Sequence, residues 1–150
     1  MQPRAYETLF RVEDEHWWYR QLRRVLHLHL DRYLPAWRDA AILDAGFGTG
    51  GNLAHLPGAG RRVGLEVSTD ALKHARQRDL ARLVRGTVTS LPFAPASFDA
   101  AISTSVIYHQ WVRDPAVARC ASSTACCGRA ACSSSTCRPT RRSPRPTTSR

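Results

Sequence analysis

Residues 119–150 contain no Val, Ile, Leu, Met, Phe, Trp or Tyr, and no Asp or Glu. A segment with so little to bury cannot offset its ordering entropy, so a disordered tail is expected there. No cysteine precedes that tail; Cys120, Cys126, Cys127, Cys132 and Cys137 are all five. An odd set in a chain whose "MQPRAYETLF" start lacks the apolar heart of a secretory signal does not suggest a disulfide framework. Nor is there a run of roughly eighteen apolar residues to span a bilayer. The expected compartment is therefore cytoplasmic, with no membrane partner. Lysine is nearly absent, Lys73 standing alone among 22 basic residues, a usage that fits a GC-rich genome. The net charge of +10 is lopsided: seven arginines lie in the tail, leaving +3 on residues 1–118. Nucleic acid is accordingly not the expected partner of the folded part.

Three regions can be distinguished. Residues 1–39 form an amphipathic helical segment: Trp18, Leu22, Val25 or Leu26, Leu30, Tyr33 and Leu34 recur at helical spacing, predicting one helix from about Glu13 to Leu34, stopped by Pro35. In residues 40–118 short apolar runs alternate with helix-compatible stretches. "AILDAG", "RVGLEV", "RLVRGTV" and "FDAAIST" read as buried strands, and 50–57 and 70–81 as helices. Strand-helix-strand alternation predicts an α/β fold with a parallel sheet covered on both faces. The third region is the tail, residues 119–150.

"LDAGFGTGGN" (43–52) follows the first strand and opens a helix. Its glycines allow a sharp turn and close approach of a ligand to the backbone. Glu66 ends the second strand, where a carboxylate can hold ribose hydroxyls. Gly46, Gly48 and Gly51 also satisfy the G-x-G-x-x-G pattern of dinucleotide sites, so the loop alone is ambiguous. Asp44 separates the readings: a carboxylate repels a pyrophosphate and favours a cationic ammonium or sulfonium. D-x-G-x-G-x-G thus points to S-adenosylmethionine.

These segments, with "VGLEVSTDALKHARQR", "LVRGTVTSLPFAPASFDAAIS" and "VIYH" in order, resemble the class I S-adenosylmethionine-dependent methyltransferases, and within them the type-11 group. The leading "EDEHWWYR" resembles the N-terminal helix of some bacterial members. The resemblance covers about Tyr6 to Ala118. It implies a doubly wound Rossmann-like fold, here its N-terminal half with parallel strands in the order 3-2-1-4. It further implies that Asp44, Gly46, Gly48 and Gly50 line the methionine end of the cofactor, that Glu66 binds the ribose, and that Val67 flanks the adenine. Thr87 stands where many relatives carry an adenine-binding Asp, with Val88 beside it, and Ser103 to Ser105 lie near the methyl group. Phe47 replaces a smaller residue between the first two glycines, either crowding the loop or packing beneath it.

Methyl transfer from a sulfonium needs chiefly positioning and exclusion of water, so no universal catalytic side chain follows. Tyr108 and His109, beyond the fourth strand, are candidates for acceptor contact or general base. "HWWY" (16–19) reads as an anchor in which Trp18 packs on the sheet, or as a lid over the sulfonium. His27 and His29 fall on different sides of a helix and make no metal pair. The tail spacing C-x5-C-C-x4-C-x4-C lacks the paired ligands of a zinc site, so no metal is expected.

The tail has a genetic reading. With GC-rich codons, residues 119–138 read from the third base of the Arg119 codon give "LRELHRVLRPGGLLLL", then His or Asn, then "LP". Those are the helix and strand that the resembled family places next. A frameshift after about Ala118 is inferred, leaving a truncated domain with impaired activity. The expected function is methyl transfer from S-adenosylmethionine to an unknown acceptor. The alternatives are a nicotinamide-dependent oxidoreductase, or a non-catalytic module with a basic nucleic-acid-binding arm.

Overall fold

The structure, a computed structural model, describes residues 2–56 and 60–106. The five cysteines, the rest of residues 119–150, Tyr108 and His109 lie outside the described residues. Two helices come first, α1 (Pro3–Val12) and α2 (Trp17–Tyr33). The helix expected from Glu13 to Leu34 is present as α2, beginning at Trp17 after a turn at Glu13–His16, and α1 lies ahead of the expected range. Arg23, itself buried, donates from Nη1 to the Glu13 carbonyl (2.7 Å) and from Nη2 to the Asp14 carbonyl (3.0 Å), satisfying acceptors that the break frees. His16 then caps α2, its ring nitrogen accepting the Trp18 amide.

Four strands follow: β1 (Ile42–Ala45), β2 (Arg62–Glu66), β3 (Leu83–Arg85) and β4 (Ala100–Ile102). They pair in parallel in the order β3-β2-β1-β4, the order expected from the resemblance. Between β1 and β2 lies α3 (Gly51–Ala54). Between β2 and β3 lies α4 (Thr69–Ala75), capped by the Ser68 hydroxyl and continued by a 3-10 turn at Arg76–Arg78. Asp79, in the left-handed region with φ 55°, stops that turn well short of the expected residue 81. The β3–β4 connection contains no helix, although both faces of the sheet are covered.

The alternation along β1 divides the core. Ile42 belongs to the layer with Leu26 and Leu30 of α2, Leu53, Leu56 and Trp37. Leu43 and Ala45 belong to the opposite layer with Val63, Leu65 and Phe98, where Leu91 and Phe93 from the β3–β4 connection complete the cover. Trp37 is anchored within its layer, its indole N–H donating to Asp31 Oδ1 at 2.7 Å. The expected anchor, Trp18, is instead 54 % exposed, and Leu26 and Leu30 bind α2 to the sheet. Among the described residues no helix is long and apolar enough to cross a membrane.

Candidate functional site

A parallel sheet brings the carboxyl ends of its strands to one edge, and the chain reverses direction across the sheet between β2 and β4, on either side of β1. At that edge lies a cavity of 610 Å³. Its floor is the glycine loop after β1. Gly46 takes φ 82°, and a Cβ there would overlap Val106; Gly48 takes φ 62°. The Gly46 amide donates to the Leu65 carbonyl at 2.7 Å, fixing the loop against β2.

Phe47 packs beneath the loop while still contributing to the wall. It is buried with Leu72 and Ala75 of α4, and Gly64 of β2 makes room for it: a Cβ on Gly64 would lie 2.5 Å from the Phe47 ring. An aromatic ring between the first two glycines is therefore accommodated by a missing side chain on the neighbouring strand.

Glu66 is buried and holds three backbone amides. Oε2 accepts from Gly48 at 3.0 Å, and Oε1 accepts from Val67 and Ser68, each at 2.9 Å. A carboxylate has about four acceptor positions, so Oε2 retains one. Asp44 lies on the same strand edge but is fully buried, and neither of its oxygens has a hydrogen-bond partner. Burial, reinforced by the nearby Glu66 and Glu13 charges, pushes its carboxyl up to about 7. An orphaned buried carboxylate is costly and points to a missing cation or donor nearby.

Of the residues predicted from sequence, Gly46, Phe47, Gly48, Glu66, Val67, Thr87 and Val88 converge on the cavity wall. Asp44 sits beneath the loop and off the wall. Gly50 is turned into the N-cap of α3, with φ 88°. Ser103 spends its hydroxyl on the Ala45 carbonyl at 2.9 Å, and Thr104, Ser105 and Val106 form the wall in its place. Thr87 pairs its hydroxyl with that of Thr89 at 2.9 Å.

The sequence reading missed the contribution of α1. Tyr6, Leu9, Val12 and Glu13 form one side of the cavity, and Trp18 and Tyr19 of α2 border it. Burial raises the Tyr6 hydroxyl above its usual pKa, with Glu66 and Asp70 adding to the effect. Glu13 is buried, accepts the Thr49 hydroxyl, and pairs with Arg78 at 2.8 Å; burial raises its carboxyl, with Thr49 and Arg78 opposing. Asn52 donates to the Thr104 hydroxyl at 2.9 Å, bridging α3 to the end of β4. The amphipathic pattern signalled a helix before residue 34, but not which side it would cover.

The electrostatic character of the wall is one-sided. Among the described residues it contains two carboxylates, Glu13 and Glu66, and no Lys, Arg or His. Arg78 neutralises Glu13 from behind the wall at 2.8 Å, so the charge left facing the cavity is that of Glu66, and a diphosphate would meet it with no basic side chain among the described lining residues.

Comparison with known proteins agrees with this geometry. A curated Encephalitozoon cuniculi protein named as a methyltransferase is 39% identical over 80 residues, 53% of this chain and 35% of its own length. The S-adenosylmethionine-bound structure of CalS10, an amino pentose methyltransferase from Micromonospora echinaspora, aligns with TM-score 0.62 and 26% identity, over 86% of this chain and 53% of that one. An S-adenosylmethionine-dependent methyltransferase from Mesorhizobium loti aligns with TM-score 0.54 and 28% identity, over 67% of this chain and 48% of that one. The chain thus spans about a third of the curated relative and about half of these structures. The family model for the methyltransferase domain matches residues 43–131, more than half of the sequence, and the chain belongs to that family.

Proposed function

We propose that the strand-edge cavity binds S-adenosylmethionine and that the protein transfers its methyl group to an acceptor. The observation that carries this reading is the charge of the site: Glu66 on the wall with no ion pair among the described residues, Asp44 buried and unpartnered beneath the loop, and no basic side chain among the described lining residues. S-adenosylmethionine would supply an electrophilic methyl group on a cationic sulfur. The free acceptor position of Glu66 Oε2 suits a ribose hydroxyl, and Val67 and Val88 offer apolar flanks to a purine. Asp44 acts through the loop as a fixed source of negative potential, fully developed when a cation draws off its proton.

The same wall bears on the acceptor. Trp18, Tyr19, Val12 and Val106 present aromatic and apolar surface, and nothing described there would pair with a carboxylate or phosphate. An uncharged or cationic acceptor fits this surface. His109 and Tyr108 stay proposed as acceptor contacts on sequence grounds alone. The out-of-frame origin of residues 119–138, with the loss of activity it entails, is likewise proposed, and resequencing the gene across codons 115–125 tests it.

The cofactor reading is tested by amide chemical shifts of the isotope-labelled chain titrated with S-adenosylhomocysteine. Saturable shifts are expected at Gly46, Gly48, Val67 and Gly86. Shifts absent from the glycine loop would refute it.

A further inference from the structure

We infer that Arg78 is a positioning residue that latches the α1–α2 turn onto the glycine loop and so sets how long a ligand stays in the cavity. The inference rests on the reading of that cavity as the S-adenosylmethionine site. Arg78 closes the 3-10 turn after α4, just before the left-handed Asp79, and its side chain is 8% exposed. From there one guanidinium reaches both sides of the loop. Nε donates to the Thr49 carbonyl at 3.0 Å, Nη1 to Asp14 Oδ2 at 2.8 Å, and Nη2 to Glu13 Oε1 at 2.8 Å. The guanidinium carbon also lies 4.6 Å from the centre of the Phe10 ring. Glu13 closes the circuit by accepting the Thr49 hydroxyl, and Gly51 leaves room for it: a Cβ there would lie 2.5 Å from the Glu13 carboxyl carbon.

The helix held this way packs along α4, with the Phe10 ring stacked on His74 at 5.3 Å, and the Arg78 circuit ties its C-terminal end to the glycine loop. Tyr6 is the one residue of α1 that is buried, yet Tyr6, Leu9 and Val12 close one side of the cavity. The polar circuit therefore fixes the roof at its C-terminal end. Its parts are arranged so that a single planar, five-donor cation serves loop and turn together, which a point charge cannot reproduce. Removing that cation deletes the bonds to the Thr49 carbonyl, Asp14 and Glu13 at once, so the turn loses its charged tie to the loop.

Arg78→Met, which keeps the stem and removes the charge, and Arg78→Lys are compared with wild type as the full 150-residue chain. Amide hydrogen exchange and the stopped-flow dissociation rate of S-adenosylhomocysteine are measured. In Arg78→Met, exchange at residues 9–13 and 49–51 is expected to speed at least tenfold, with β1 and β2 unchanged. Ligand release is expected to speed at least tenfold as well, with Lys intermediate in both. Uniform acceleration that includes β1 and β2, or unchanged exchange at residues 9–13, overturns the latch. Should Arg78→Met fail to fold, Glu13→Gln loosens the other end of the same ion pair and must give the same local pattern, or the latch is refuted. Failure of wild type to bind S-adenosylhomocysteine removes the cofactor reading, while the exchange pattern still decides whether Arg78 holds the roof.

Discussion

Asp44→Asn should make the ligand-free protein more stable at pH 8 while weakening its attraction for a cation. Asp44 is fully buried, without a hydrogen-bond partner, and its carboxyl is raised from an ordinary 3.8 to about 7. In the unfolded chain the group ionises near 3.8; in the folded protein it holds its proton until about 7. Between those values the folded state binds more protons, so stability falls as pH rises, and above about 7 the full penalty persists. A difference of about 3 pKa units corresponds to about 4 kcal/mol. Asparagine cannot ionise, and its unpartnered amide costs about as much as the unpartnered protonated carboxyl, so a gain of about 4 kcal/mol is expected at pH 8. Urea unfolding of both proteins at pH 5 and pH 8 measures this. The stability difference should move by about 3 kcal/mol in favour of the variant between those two values. Glu13, also raised, is present in both proteins and largely cancels in the comparison. A difference that does not change with pH would refute the reasoning.

Other substitutions probe separate parts of the site. Phe47→Ala removes a buried ring from beneath the loop and should cost about 3–5 kcal/mol in denaturant unfolding. Gly64→Ala drives a Cβ into that ring and should cost about 1–3 kcal/mol; restoration of stability in the double variant Gly64→Ala with Phe47→Leu would show that the two positions share one space. Glu66→Ala releases the amides of Gly48, Val67 and Ser68 and should weaken S-adenosylhomocysteine binding at least tenfold by calorimetry. Trp37→Phe loses the hydrogen bond to Asp31 and should lower stability by about 1 kcal/mol, with ligand affinity unchanged.

The sheet and glycine loop were legible because their signals are local. Ile42–Ala45 is a short strand, apolar but for Asp44, leading straight into the Gly46–Gly48 turn, and parallel pairing follows from the helix-sized spacing to Arg62–Glu66. The order β3-β2-β1-β4 came from the family resemblance rather than from residue pattern. What escaped depends on pairs remote in sequence. Arg78 meets Glu13 across 65 positions, and nothing in either neighbourhood announces the other. Arg23 closes the turn ahead of α2 by satisfying the Glu13 and Asp14 carbonyls, a contact that periodicity cannot show. Trp18 illustrates a different limit: its spacing matched a core position, but Leu26 and Leu30 take the sheet contact and leave the indole at the cavity border. At the end of β4 the Ser103 hydroxyl turns back to the β1 backbone, while Thr104 and Ser105 of the same stretch line the cavity.

Calorimetric titration of the purified chain with S-adenosylmethionine and with NAD, at pH 8 and the same ionic strength, tests the charge complementarity of the cavity most directly. Saturable heat with the sulfonium compound and none with the dinucleotide is the predicted result. Heat with NAD and none with S-adenosylmethionine would contradict it.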